Sequence, residues 1–187
     1  MDISVILLGV VVAILLIGVV IYNRLVALRQ NTRNALADID VQLKLRLDLV
    51  PNLVETVKGY AAHESDVLGK VTEARASAMR GGSLAERTTA ENALSGALMN
   101  LMAVAENYPQ LRANENFMSL QTELADIENK IAAARRFYNG AVNEYNTGIE
   151  QFPAVLLAHK FGFDATTMWE VPEGEKQAVQ QAPKVSF

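Results

Sequence analysis

The sequence contains no cysteine, only two histidines and few residues that interrupt helices. Its 187 residues include 11 glycines and 5 prolines, and half of the chain is apolar. Without cysteine, the protein has no disulfides, no thiolate-bound zinc, no iron–sulfur cluster and no cysteine nucleophile. The remaining composition is typical of a helical protein and not of a β-sandwich or barrel.

Basic residues are also in the minority: the chain has 17 Lys and Arg against 21 Asp and Glu, which gives a net charge of −4. Nucleic-acid-binding domains usually carry a basic face, so we expect no nucleic-acid partner. The two histidines, His63 and His159, are not spaced one helical turn apart as paired zinc ligands are. Phosphate loops, Ser–His–Asp sets and Glu-x-x-His pairs are missing from the sequence. We therefore predict no metal, no cofactor and no enzymatic activity, and interpret His63 as a polar helix residue.

One long segment carries no charge. Residues 3–22 read ISVILLGVVVAILLIGVVIY, and as a helix they span about 30 Å, the thickness of the hydrocarbon layer. A cleaved signal peptide would need a basic start and a cleavage site with small residues, and this segment has neither. We predict a retained transmembrane anchor over residues 1–22, with these residues as its apolar surface: Ile3, Leu7, Leu8, Val12, Leu15, Leu16 and Val20.

The flanks of this segment predict its orientation. Asp2 precedes it, whereas Arg24, Arg29 and Arg33 follow it within a short stretch. The positive-inside rule keeps such an arginine-rich flank in the cytoplasm. We expect a single-pass protein of the bacterial inner membrane with its N-terminus outside and residues 23–151 on the cytoplasmic side.

Residues 23–151 carry apolar side chains at helical spacing, interrupted near Pro51, at Gly81-Gly82 and at Pro109. Ser83 is a good N-cap for the helix after the glycines. Four amphipathic segments with short connections predict an all-α fold, in which the transmembrane helix continues into an antiparallel four-helix bundle.

Pro51 decides between two arrangements of this bundle. Proline ends or kinks a helix, so the chain either reverses here or continues as one long kinked first helix in a three-helix bundle. Within the motif DLVPNLV we interpret Asp48 as a cap and Asn52 as the partner of a freed backbone group. A partner-binding elbow is the alternative function for these residues.

The last long segment has the clearest periodicity. Its apolar residues recur by threes and fours over four heptads, as in the seam of a coiled coil. The bundle seam is predicted to contain Phe117, Leu120, Leu124, Ile127, Ile131, Tyr138 and Tyr145.

Beyond residue 151 the helical period fades but the aromatic content does not. Residues 152–169 hold four of the chain's twelve aromatic residues. So many apolar side chains in a short segment have to be buried against the bundle, the membrane or another copy of the chain. We predict an interface here, formed by Phe152, Phe161, Phe163 and Trp169. Residues 170–187 contain prolines, glycine and mixed charge, and are predicted to be a flexible tail.

Several stretches resemble the LemA family of bacterial membrane proteins. These are YNRLVALRQ (22–30), IDVQLKLRLDLVPNLVETVKGYAAHE (39–64), EARASA (73–78), the stretch ANENFMSLQTELADIENKIAAARRFYNGAVNEYN (113–146) and FP…FGF (152–163). The resemblance implies an N-terminal anchor and a helical bundle, without an established enzymatic activity. Members have been associated with membrane metalloproteases by gene neighbourhood, and with the building of intracellular membrane compartments in magnetic bacteria.

Two functions fit these features. The first is a membrane-anchored scaffold that self-associates and organises membrane or membrane proteins, with membrane lipid and further copies of itself as partners. The alternative is an accessory subunit of a membrane protease or signalling complex, which acts through contact with one membrane protein.

The predicted orientation can be tested with a single cysteine, because the chain has none of its own. A cysteine in place of Ser186 should resist a membrane-impermeant maleimide in intact cells and react after permeabilisation, because the arginine flank holds the C-terminal side inside. Rapid labelling of unbroken cells would reverse the orientation.

Overall fold

The computed structural model describes residues 2–169. Its helices are α1 (Ile3–Lys58), α2 (Ser65–Ala78), α3 (Leu84–Ala105), α4 (Pro109–Arg112), α5 (Glu115–Glu150) and α6 (Val155–Ala158), with a 3₁₀ turn at His159–Phe161. Within residues 2–169 there is no β-strand. The predicted all-α class is confirmed, and the predicted tail at residues 170–187 lies outside the described residues.

Two compact units make up the described chain, and α1 and α5 contribute to both. The terminal unit comprises residues 2–40 and 132–168, and the central unit comprises Val41–Ile131 with Trp169. Each unit has its own buried apolar residues. Those of the terminal unit include Leu25, Ala35, Ile39, Val142, Ile149 and Phe163, and those of the central unit include Leu53, Val57, Val71, Leu94, Leu101, Phe117 and Ile131.

The first helix does not end at Pro51. It is a single helix of 56 residues that contains this proline and ends at Lys58, so a chain reversal at Pro51 is wrong and the alternative with one long first helix describes α1. The chain leaves the helix at residues 59–64 and starts α2 at Ser65. His63 lies exposed in this connection, so its assignment to a helix is also wrong.

The backbone around Pro51 is completed by a distant side chain. Proline has no N–H, so the carbonyl of Leu47, one turn earlier, lacks its helical donor. The Nε–H of Arg75, on α2, donates to that carbonyl oxygen at 2.8 Å. Arg75 therefore takes the role predicted for Asn52, which is exposed. Asp48 does not cap a helix but pairs with Lys44 at 2.9 Å.

A double-mutant cycle tests this arrangement. Arg75→Met leaves the Leu47 carbonyl unpaired and should lower the free energy of unfolding by about 1 kcal/mol or more. In a Pro51→Ala background the backbone N–H of residue 51 can bond to that carbonyl. Arg75→Met should then lower the free energy of unfolding by clearly less. Denaturant unfolding of the full chain in detergent micelles measures both costs, and simple additivity would contradict the proposed pairing.

The connections within the central unit are tied by side-chain hydrogen bonds. Asn114 accepts from the N–H of Phe117 at the start of α5 and donates to the hydroxyl of Tyr60, both at 3.0 Å. The Tyr108 hydroxyl donates to Glu64 at 3.1 Å, and this bond raises the pKa of Tyr108 above its ordinary value. These bonds hold the connection between α1 and α2 to the segment between α3 and α5.

The start of α3 confirms the predicted cap. Ser83 Oγ accepts from the backbone N–H of Glu86, while the Glu86 carboxylate accepts from the backbone N–H of Ser83, which completes a capping box. The hydrogen bonds from Ser83 lower the pKa of Glu86. Gly81 and Gly82, with φ of 70° and 126°, make the preceding turn in a conformation that other residues rarely adopt.

A buried arginine joins three helices of the central unit. Arg46, on α1, is fully buried. It donates to Ser95 Oγ at 2.7 Å and to Glu128 Oε1 at 2.6 Å, and it forms an ion pair with the buried Glu91 carboxylate. From the sequence, Arg46 reads as part of a mild basic run after the membrane segment. Its partners lie 45, 49 and 82 residues away, which is why sequence pattern does not reveal its burial.

Removal of Arg46 should therefore be costly. Arg46→Met leaves the Glu91 carboxylate buried without its cation, and we expect a loss of about 3–5 kcal/mol in the free energy of unfolding. The double variant Arg46→Met with Glu91→Met should recover much of this loss, because no buried charge remains.

The matched control for Arg46 is Lys44→Met. Lys44 forms an exposed ion pair with Asp48 on the same helix, and such pairs contribute only about 0–1 kcal/mol. Urea unfolding of the full-length variants in micelles makes the comparison. Equal costs for Arg46→Met and Lys44→Met would show that the buried pair is not a special anchor of the bundle.

Candidate membrane-associated site

The N-terminal part of α1 has the properties expected of a membrane span. α1 is long and apolar enough to cross a membrane, and its apolar window has no buried residue. The seven residues predicted as the anchor surface, from Ile3 to Val20, are all exposed. An exposed apolar surface of this length is unfavourable in water and favourable in lipid.

The end of this span lies against the C-terminal aromatic segment. The ring of Tyr22 meets Phe161 and Phe163 edge to face, with centroid distances of 5.3 and 5.5 Å. The Arg29 guanidinium lies 4.7 Å from the centroid of the Phe163 ring, which is cation–π geometry. Arg29 is thus a packing residue as well as part of the predicted topology flank. Arg24 and Arg33 are exposed.

An apolar groove of about 550 Å³ lies between α1 and the segment around α6. Leu157 reaches α1 at Gly18, where its Cδ1 is 4.0 Å from the position that a Cβ would take. That distance is an ordinary contact, so Gly18 is not required there by space. The residues that line the groove are Ile14, Leu15, Ile17, Gly18, Val19, Ile21, Tyr22, Pro153, Leu156, Leu157 and Phe161.

The four aromatic residues predicted as an interface divide into two pairs. Phe163 and Trp169 are buried by the chain itself. Phe163 packs in the same apolar cluster as Leu25 and Tyr145. Phe152 and Phe161 are 79% and 56% exposed, so they are the members of the predicted interface that are open to another molecule.

Side chains of α5 hold the stretch after Phe163 in place. Asn146 makes two hydrogen bonds of 2.9 Å to the backbone of Thr166, one as donor and one as acceptor. The buried Tyr138 donates its hydroxyl to the carbonyl of Thr167 at 2.9 Å. Burial raises the pKa of Tyr138 and of Tyr145. Tyr138 and Asn146 thus have a structural role, since they fix this stretch against α5.

The predicted seam of α5 is divided between the units. In the central unit Phe117, Leu124, Ile127 and Ile131 are buried, whereas Leu120 is half-buried. In the terminal unit Tyr138 and Tyr145 are buried, and Tyr145 belongs to one apolar cluster with Leu25 and Phe163.

Sequence reasoning missed the contact between Tyr22 and the aromatic segment. The available signal was the position of Tyr22 at the end of the apolar run, where aromatic residues often mark the membrane–water interface. No motif linked it to Phe161, which is far along the chain. The described residues also contain no group of three or more His, Asp or Glu side chains that could hold a metal ion.

The sequence is similar to four curated bacterial proteins. Magnetosome protein MamQ 1 and MamQ 2 of Paramagnetospirillum magneticum are each 27% identical over 181 residues, which cover 82% of this chain and 66% of each relative. Protein LemA of Metamycoplasma hominis is 25% identical over 158 residues, with 82% of this chain and 71% of the relative covered. The chain thus spans slightly under two thirds of the length of the MamQ relatives.

The sequence pattern of the LemA family matches residues 35–187. The match covers most of the chain, including all of α5 and the part of α1 from residue 35 onward. The exposed apolar helix before it is consistent with a single-pass membrane protein. This helical protein belongs to the LemA family.

Proposed function

We propose that this chain is a non-catalytic, membrane-anchored scaffold that self-associates and organises membrane or membrane proteins. The observation that carries the proposal is the continuity of α1. One helix of 56 residues exposes apolar side chains over its first part and supplies buried core residues, from Leu25 to Val57, over the rest.

A helix without a linker joins the anchor directly to folded protein. A flexible connection would let the folded part sample many heights and directions, whereas a helix restricts both. Arg24 and Arg33 remain exposed just beyond the span, which supports the proposed orientation with the bundle on the cytoplasmic side. A protein that holds other molecules at a set distance from a bilayer needs such a connection.

Self-association is supported by an exposed apolar pair on α1. Val41 and Leu45 lie one helical turn apart and are 55% and 47% exposed. Copies anchored in one membrane hold this pair at the same height, so their effective concentration is high and a weak contact is sufficient.

The names of the relatives agree with a role at membranes. Three of the four are named as magnetosome proteins. An organising role at a bacterial membrane is part of the proposal for this chain.

Cross-linking of single-cysteine variants tests the proposed self-association. Leu45→Cys in the full chain, reconstituted in phosphatidylcholine vesicles, should form disulfide-linked dimers on mild oxidation, because neighbouring copies bring these positions together. Asp126→Cys is the control, since Asp126 is exposed on α5 beside Lys130 in a polar surface.

Two results would count against the scaffold. Equal cross-linking at both positions would indicate random collision. A monomer in detergent that co-purifies with one membrane protein would favour the accessory subunit instead.

A further inference from the structure

The structure holds a second apolar element beside the anchor, and the proposed scaffold function does not explain it. This element, which we call the wedge, comprises residues 152–161 and includes α6. We infer that the wedge is embedded in the lipid leaflet next to the bundle and that lipid acyl chains fill the groove between the wedge and α1. The inference rests on the proposed membrane span of α1.

The depth of the wedge follows from its contacts along α1. Leu157 lies against Gly18, and the groove that Leu156 and Leu157 line extends to Ile14. At 1.5 Å per residue, these positions lie about 6 to 12 Å from Tyr22 towards the N-terminus of the span. If residues 3–22 cross the hydrocarbon, the wedge therefore lies within it and not above it.

The outer face of the wedge is suited to lipid. Residues 152–158 read FPAVLLA and contain no charged or hydrogen-bonding side chain. Leu156 is 60% exposed, and Phe152 and Phe161 are exposed on the same short segment. Exposed apolar side chains next to a membrane span are unfavourable in water, and burial in acyl chains removes that cost.

The backbone of α6, within the wedge, also meets the requirement of a lipid environment. An unpaired N–H group in hydrocarbon costs several kcal/mol. The N–H groups of residues 155–158 all donate to carbonyls of residues 151–154, and Pro153 has no N–H. The N–H groups of Gly162 and Phe163 donate to His159 and Ala158. The helix α6 can therefore enter the leaflet with its own N–H groups paired.

The polar side chains of the wedge are confined to its C-terminal end. His159 and Lys160 are exposed at its C-terminal end, and Arg24 is exposed just after Tyr22. Cations at this level are favourable next to anionic headgroups. This distribution of charge favours lipid over a second protein copy as the occupant of the groove. A second copy would not require cations at the level of the headgroups.

Spin labels at single cysteines test the inference, because the chain has no cysteine of its own. Full-length Leu156→Cys carries a nitroxide in vesicles of phosphatidylcholine and phosphatidylglycerol. Oxygen, which concentrates in hydrocarbon, should collide with this label more often than a water-soluble nickel complex does. Leu15→Cys serves as the standard within the span, and Gln30→Cys, exposed on α1 beyond Tyr22, serves as the aqueous standard.

Each outcome decides something different. A Leu156 label that resembles Leu15 supports the wedge. A label that resembles Gln30, while Leu15 remains in hydrocarbon, overturns the wedge and leaves the anchor intact. If both labels are aqueous, the proposed membrane span itself fails. If the Leu156 label is shielded from both reagents and broadened by a second label, the occupant is another copy and the lipid assignment is overturned.

Discussion

The structure depends on one hydrogen-bonded helix, α1, that has to fit two environments. Its first twenty residues have apolar side chains on every side, whereas beyond Tyr22 buried apolar positions alternate with exposed polar ones. The change occurs within about two turns, where Leu25 enters the terminal core and Arg29 covers Phe163. Both compact units contain α1 residues, so each core is built against the helix that also carries the apolar segment.

Where α1 meets the rest of the central unit, polar groups determine which residues face each other. The guanidinium of Arg46 reaches Glu91, Ser95 and Glu128, and the side chain of Arg75 reaches a carbonyl that proline leaves without a donor. Apolar contacts tolerate small shifts along a helix, whereas a buried charge or carbonyl finds its partner in one register only. These residues specify the packing of the helices in a way that leucine and valine alone do not.

Local signals made much of this fold predictable. The apolar run, the period of α5 and the Ser83 cap each depend on neighbours in sequence, and the structure contains all three. Features that depend on distant partners were not predictable. Where the helix continues through Pro51, the carbonyl that lacks its helical donor accepts from Arg75, 28 residues away. The burial of Arg46 depends on partners on two other helices. In the aromatic segment, no pattern in the sequence distinguishes the buried Phe163 from Phe161, which lies two residues earlier and is exposed.

Embedded in one leaflet as inferred, the wedge would also affect the membrane itself. A transmembrane helix alone occupies similar areas in the two leaflets, but a wedge in one leaflet adds the cross-section of roughly another helix on that side only. A bilayer relieves such an imbalance by bending, with the more crowded leaflet on the convex surface. Many copies held side by side would add their imbalances together. Such a cluster would favour a membrane that is convex on the side of the bundle. The effect would come from lateral area alone, without any enzymatic step.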